Sequence, residues 1–493
     1  MTEPLAILPL ALAAGGGRIA AMGAGTSAEF EVQQLVAAGI TLLQRSALLV
    51  RALSGRRAAI LLPTSPAFLT ALAASEGRGA VLVNPLAAPQ EIAFQCDNAS
   101  VGAVFTNAAL AARVPAGLTV VLLDHAPWAA RVVGGGRSQD VDLGSHHGLS
   151  LEGQIDVEGR DEEAAVVYTS AMDGVPLGAV LTHRNLLANA RATSAVLANA
   201  ADDRILAVLP FAHLFGFTGT CSAPLLAGAR VTTMAKFSPA KAAELIASGV
   251  FTQLVGVPAI FHALLAALAR RGLDRGNVPL RVAVCGGAPL SRELQDRWAD
   301  CTGHELRQGY GLTEAGPVCL FNRVNRPNVR GMLGVSVPGV DARIVSSSED
   351  RCHERHHEDR ALPDGIAGEL CVRGPNVFRG YIGGVAGIAT RGDWLYTGDE
   401  CRRHADGSFE FLGVLKAMFT RNGYNIYPRE LERVVGSISG VVRVEVVPVP
   451  APTRENDIHL RVTGSVTLED VKRCCEDGLS AYKQPTTIEI IAT

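Results

Sequence analysis

The sequence predicts an α/β protein: a large N-terminal domain of two doubly wound α/β subdomains plus a small β subdomain, followed by a small α+β C-terminal domain. Three observations predict it. Short β-branched runs alternate with Ala/Leu-rich helical stretches up to about residue 300, the rhythm of a parallel sheet with helices on its faces. Residues 330–412 instead hold strand-like runs separated by Pro/Gly turns. The segment after Lys416 mixes both characters.

Taken in order, Arg57–Leu62 (RAAILL) is a buried strand, and Pro66–Glu76 a helix with Ser65 as its N-cap. Ala80–Val83 is a strand, Pro89–Asn98 a helix, and Val101–Thr106 and Thr119–Leu123 are strands. Residues 205–300 repeat the pattern: ILAVLP, a Gly/Phe-rich turn, ARVTTM, a helix after Ser238, FTQLVGV, a long Ala/Leu helix and RVAVCGG. Strands ARIVS, GELCVRG and SFEFLG then build the β subdomain. The main boundary falls at Gly413–Lys416, with no internal repeat or low-complexity tract.

Composition narrows the function. The 493 residues suffice for roughly three folding units of about 150 residues each. Hydrophobic residues make up 48% and charged residues 19%, which excludes a disordered or fibrous chain. A net charge of −3 offers no electrostatic case for nucleic acid as the main partner. Of 45 basic residues only five are lysines: Lys236, Lys241, Lys416, Lys472 and Lys483. The ten cysteines sit mostly singly in apolar runs, which suits free thiols in a reducing, cytoplasmic setting. The apolar N-terminus carries Glu3 and lacks a basic leader, so a secretory signal is the minor reading. No apolar run reaches 18 residues, so no integral membrane association is expected.

Four motifs carry chemistry. Val166–Val180 is a strand, a loop with hydroxyls and glycines, and a second strand. Such a loop can align backbone N–H groups as an anion nest, although by itself it is equally an ordinary hairpin turn. The others are Gln308–Ala315 (QGYGLTEA), Asp393–Asp399 (DWLYTGD) and Gly413–Glu432 (GVLKAMFTRNGYNIYPRELE). In this order and spacing, from about Gly55 to Pro485, they resemble the adenylate-forming superfamily of AMP-dependent acyl-CoA synthetases, luciferases and peptide-synthetase adenylation domains. Leu209–Gly216, Cys285–Leu290 and Gly368–Asn376 support the likeness.

The resemblance implies a ligase that joins a small fatty or aromatic carboxylic acid to ATP, giving acyl-AMP, and passes the acyl group to CoA. ATP, Mg2+ and CoA are the implied cofactors. Thr169, Ser170, Gly174 and Gly178 would lie on the loop cradling the ATP phosphates. Thr313 would bind phosphate and Glu314 would hold Mg2+, for which a hard oxygen ligand suits. Gly287, Ala288 and Pro289 with Tyr310 and Gly311 would frame the adenine, and Asp399 would accept from both ribose hydroxyls. His213 would sit near the acid's carboxylate. Lys416 would lie on a hinge, giving domains 1–412 and 418–493 joined by 413–417, and Gly423 on the C-terminal loop facing the site during thioester formation.

The chain departs from the superfamily's pattern at ATP-handling positions. Where a glycine, a hydroxyl, a threonine and a lysine are usual in the phosphate loop, it has Ala171, Met172, Asp173 and Leu177. The fourth motif has Val414 in place of an arginine. The tail ends at Thr493, before the usual Gly-Lys, so a shortened C-terminal domain is expected, and Lys483 comes too early to stand in. Two alternatives therefore accompany the ligase: a degenerate homologue that binds nucleotide or acyl-AMP with little adenylation, and an acyl-AMP donor to an acyl carrier protein. His353–His357 matches HExxH, but its polar surroundings indicate a surface loop rather than a zinc site. His183 is expected to cap or orient a helix.

Overall fold

The structure, a computed structural model, describes residues 7–22, 28–75, 79–123, 128–144, 161–169, 175–273, 278–346, 360–384, 390–415, 418–451 and 454–491. Two nine-stranded sheets dominate the large domain. The first runs, in spatial order, Gly380–Tyr381, Leu177–Thr182, Glu163–Thr169, Ala80–Leu82, Arg57–Ile60, Val101–Thr106, Thr119–Leu123, Ala129–Gly134 and Arg137–Asp142. Its centre is parallel and its two ends are antiparallel. The second runs Val335–Ser336, Val318–Phe321, Leu306–Gly311, Val282–Cys285, Gln253–Gly256, Arg204–Ala207, Arg230–Thr233, Arg18–Ala21 and Ala28–Glu31.

The expected β–α alternation is present, because the apolar runs are long enough to be buried on both faces. Leu82, Val104 and Val166 of the first sheet, and Leu206, Leu254 and Val284 of the second, are at most 3% exposed. Helix Pro89–Asn98 covers one face of the first sheet through Ile92 and Cys96. Two corrections apply. Ser65 does not cap the next helix: Ala67–Ala74 begins after Pro66 without a side-chain cap, and Ser65 offers only its carbonyl, to Phe68 N–H. The sheets are also mixed rather than wholly parallel, because the hairpin Ala129–Asp142 and the pair Arg18–Ala21/Ala28–Glu31 extend their edges.

Helix Ile7–Ala14 is held by a long-range bond. Leu8 N–H donates to His183 Nδ1 at 3.1 Å. The cap of helix His183–Leu197 is its neighbour Thr182, whose hydroxyl accepts from Asn185 N–H at 3.1 Å while Asn185 Oδ1 accepts from Thr182 N–H at 2.9 Å. His183 thus anchors the N-terminal helix instead of capping its own.

A five-stranded antiparallel sheet (Asp341–Val345, Ala367–Arg373, Thr390–Arg391, Trp394–Arg403 and Phe409–Val414) forms the β subdomain. The C-terminal part has its own core, Ile426, Leu431, Ile458, Leu460, Val471 and neighbours, under a three-stranded sheet and helices Pro428–Gly436 and Leu468–Gly478. Among the described residues no single helix is long and apolar enough to cross a membrane. The nine described cysteines form no disulfide, and burial pushes the Cys221, Cys285 and Cys319 thiols up.

Candidate active site

The strands deliver their loops to one cavity of about 270 Å3 between the large domain and the C-terminal part. Thr169, His213, Gly287, Ala288, Pro289, Tyr310, Gly311, Thr313, Glu314, Asp399 and Gly423 all line it, though they span more than 250 residues of sequence. Ser170, Gly174 and Lys416 lie outside the described residues, as do Ala171, Met172, Asp173 and the His353–His357 run.

Gly178 is the one predicted residue that is described and does not reach the cavity. It pairs with Tyr168 across the hairpin Glu163–Thr169/Leu177–Thr182. A Cβ there would meet Ile382 Cδ1 at 2.9 Å and the Tyr168 ring at 3.1 Å, so close packing requires the glycine. Leu177 pairs with Thr169 at the loop end of the hairpin.

Glu314 sits in a single 3-10 turn, Thr313–Ala315, directly after strand Leu306–Gly311. Its Oε1 accepts from Tyr381 OH at 2.6 Å and from Thr169 Oγ1 at 3.4 Å. Burial, then the adjacent Glu314 charge, pushes the Tyr381 hydroxyl far above its ordinary pKa, so it stays a donor. The motifs did not point to Tyr381, because its two-residue strand carries no chemical signature. Among the described residues no cluster of three or more His, Cys, Asp or Glu side chains could cage a metal. One carboxylate, Glu314, on the cavity wall nevertheless fits Mg2+, which binds through one or two carboxylates plus substrate phosphates.

Asp399 lies on the long strand Trp394–Arg403, where Tyr310 OH donates to its Oδ2 at 2.6 Å and its own N–H donates to Thr397 Oγ1 at 3.2 Å. Tyr310 is partly buried, and its hydroxyl pKa is pushed far up, first by burial and then by Asp399. Gly287 takes φ +75°, and a Cβ on Gly286 would come within 2.9 Å of Gly309 O, so the wall between Gly286 and Tyr310 is backbone against backbone.

His213 N-caps the short helix Leu214–Phe217, and its Nδ1 accepts from Phe215 N–H at 3.3 Å. Burial pushes its pKa down to about 4, so the ring is neutral near pH 7 with its proton on Nε2. Beyond it the wall turns apolar, with Phe215, Gly219, Val255, Val284, Val318 and Phe321.

The C-terminal part closes the cavity. The hairpin Phe419–Arg421/Tyr424–Ile426 turns at Asn422–Gly423, both at positive φ, and a Cβ on Gly423 would stand 2.6 Å from Val257 Cγ1. Tyr424 stacks on Tyr482 at 4.0 Å and meets the His213 ring edge-on at 6.2 Å. Lys483, which the motif spacing sets aside, also lines the cavity, bound to Glu91 at 2.7 Å and Glu430 at 2.6 Å.

A family model described as AMP-binding enzyme matches residues 45–382. A long-chain-fatty-acid–CoA ligase of Escherichia coli is 32% identical over 339 residues, 67% of this chain and 58% of that protein. The chain thus spans less than two thirds of the length of the fatty-acid ligases it matches. A feruloyl-CoA synthase of an Amycolatopsis species is 31% identical over 446 residues, 88% of this chain and 84% of that protein. Among solved structures, the amide bond synthetase McbA of Marinactinospora thermotolerans covers 98% of this chain and 95% of its own, with a TM-score of 0.77 at 23% identity. A malonyl-CoA ligase with methylmalonyl-CoA and AMP bound covers 97% and 96%, with a TM-score of 0.77 at 24% identity. At that identity the structural likeness speaks for the fold alone.

Proposed function

The chain belongs to the AMP-binding enzyme family, and from that premise we propose that it is an AMP-forming acid–thiol ligase. A carboxylate oxygen attacks the α-phosphorus of ATP and pyrophosphate leaves. The sulfur of CoA then attacks the acyl carbon and AMP leaves. The observation that carries this reading is the convergence of Thr169, Glu314, Asp399 and His213 on one cavity whose far wall is apolar.

Asp399 accepts from the ribose hydroxyls, and the Tyr310 bond fixes the carboxylate for that task. Gly287 to Pro289 and Tyr310 with Gly311 flank the adenine. Thr169 and Thr313 contact phosphate, and Glu314 holds Mg2+, which supplies positive charge against the polyphosphate. His213 offers its neutral Nε2–H to the acid's carboxylate. Gly423 and Tyr424 face the acyl carbon from the C-terminal domain, 418–493, which turns on residues 413–417.

The substrate is an apolar fatty or aromatic monocarboxylic acid. The acid-binding wall carries no cation among the described residues, and Lys483 is committed to Glu91 and Glu430. A second carboxylate would meet Glu314 and Asp399 in the same cavity instead of a counter-charge. Mostly buried free thiols support a cytoplasmic setting.

One observation favours a slower first half-reaction. Leu177 stands opposite Thr169, where a lysine would bring cationic charge to the phosphates. On that second reading the protein holds acyl-AMP and transfers it, to CoA or a carrier protein, faster than it makes it. The test is pyrophosphate release from Mg-ATP with pooled fatty and aromatic acids, set against thioester formation from supplied acyl-AMP. Acid-dependent release supports the full ligase. Silence with both substrates refutes both readings.

A further inference from the structure

We infer that Glu91 clasps the C-terminal domain over the cavity, so that bound acyl-adenylate passes to the thiol rather than to water. The inference rests on the ligase reading. It makes Glu91 a positioning residue.

The Glu91 carboxylate uses both oxygens. Oε1 accepts from Lys483 Nζ at 2.7 Å. Oε2 accepts from Ala88 N–H at 2.7 Å and from the Ser480 hydroxyl. Lys483 also donates to Glu430 Oε1 at 2.6 Å. The three side chains are 5%, 9% and 3% exposed for Lys483, Glu91 and Glu430. Burial opposes the ammonium charge, but Tyr482, Glu430 and Glu91 more than offset it, and Lys483 stays charged.

The asymmetry of the cluster decides what it does. Lys483, Ser480 and Glu430 belong to the C-terminal domain, and Glu91 alone comes from the large domain, on helix Pro89–Asn98. Without Glu91, Lys483 and Glu430 remain a balanced pair inside their own domain. Without Lys483, two buried carboxylates face each other. Neutralising Glu91 is therefore the change that loosens the domain contact and spares each fold.

The same carboxylate reaches the reacting end. Through Ala88 it holds the loop Asn84–Ala88, whose Pro85 and Ala87 carbonyls accept from the Arg113 guanidinium. Asn84 from that loop hydrogen-bonds Tyr424, which stacks on Tyr482 and packs against His213. Asn84, Ala87, Glu91 and Tyr424 all line the cavity. Loosening the clasp would open this wall.

Acyl-AMP has two fates. Sulfur attack forms a C–S bond, breaks the acyl C–O bond to AMP and releases the thiol proton. Water attack breaks the same bond, returns the free acid and releases a proton. A closed site suppresses the second fate by excluding water.

The experiment supplies dodecanoyl-AMP or cinnamoyl-AMP with CoA to wild type and Glu91→Gln, and measures the ratio of thioester to free acid. Gln keeps an acceptor for Ala88 N–H and loses the charge facing Lys483. A ratio lowered by about tenfold in the variant is expected. An unchanged ratio overturns the inference, as does a parallel fall of both products with a lower Tm. Amide hydrogen exchange over 84–98 and 478–484 gives a second readout independent of turnover. Faster exchange in both segments of Glu91→Gln upholds the clasp, and unchanged exchange overturns it. If wild type turns over neither adenylate, the ligase reading fails by that result, while the exchange result still decides the clasp.

Discussion

Replacing Asp399 by Asn isolates the contribution of one negative charge to nucleotide binding. The side chain keeps its shape, and its amide oxygen can still accept from Tyr310 OH, now 2.6 Å from Oδ2. Losing only the ionic character of that bond costs stability about 1 kcal/mol or less. The other half of the group changes from acceptor to donor, so one of the two ribose hydroxyls loses its partner. A hydrogen bond to a charged acceptor contributes about 1.5–3 kcal/mol, which converts to roughly 10- to 150-fold weaker AMP binding. Titration calorimetry with AMP on both proteins, with thermal melts alongside, measures the two effects separately. AMP affinity within twofold of wild type in a well-folded variant would refute the placement of the ribose on Asp399. A large loss of Tm with unchanged affinity would show that the carboxylate serves Tyr310 alone.

Three further predictions follow from the same geometry. Gly423→Ala places a Cβ 2.6 Å from Val257 Cγ1 at φ +76°. The left-handed backbone alone costs about 1–2 kcal/mol, so the hairpin tip leaves the cavity, and thioester formation from acyl-AMP falls at least tenfold with AMP affinity unchanged. Leu177→Lys combined with Asp173→Thr tightens Mg-ATP binding at least tenfold and leaves AMP, which lacks the outer phosphates, alone. Equal effects on both nucleotides would show that position 177 does not face the polyphosphate. His213, held near pKa 4 against about 6.5 in the unfolded chain, favours the folded state above pH 6.5. That contribution fades as pH falls from 6.5 to 4, by up to about 3 kcal/mol, an upper figure because the ring faces the cavity. His213→Gln should flatten that part of the stability-versus-pH curve.

What could be read from the sequence was what is local in it. The strand–loop–strand around Thr169, the Tyr310–Glu314 turn and Asp399 are short local motifs, and their resemblance in order and spacing to the adenylate-forming superfamily is what implied their convergence. Gly178 shows the limit. A glycine in a phosphate-loop motif looks like a ligand contact, and only strand alternation turns it toward Ile382 and Tyr168. Partners far apart in sequence left no trace: Leu8 with His183, Tyr381 with Glu314, and Glu91 with Lys483 across 392 residues. The hairpin Ala129–Asp142 did carry a signal, alternating residues around Gly134-Gly135-Gly136, that marks two antiparallel strands.

The second sheet has an implication for how the protein is made. Strand Arg18–Ala21 pairs with Arg230–Thr233, and among the described residues Ala28–Glu31 has no neighbour in the sheet other than Arg18–Ala21. The N-terminal pair therefore emerges from the ribosome about 200 residues before the strand it must join. At about 5–20 residues per second it waits on the order of 10–40 s with Ile19 and Phe30 still exposed to water. The first piece of the sheet to be synthesised cannot dock until Arg230–Thr233 has emerged, and during that interval its apolar edge is open to chaperones and to other nascent chains.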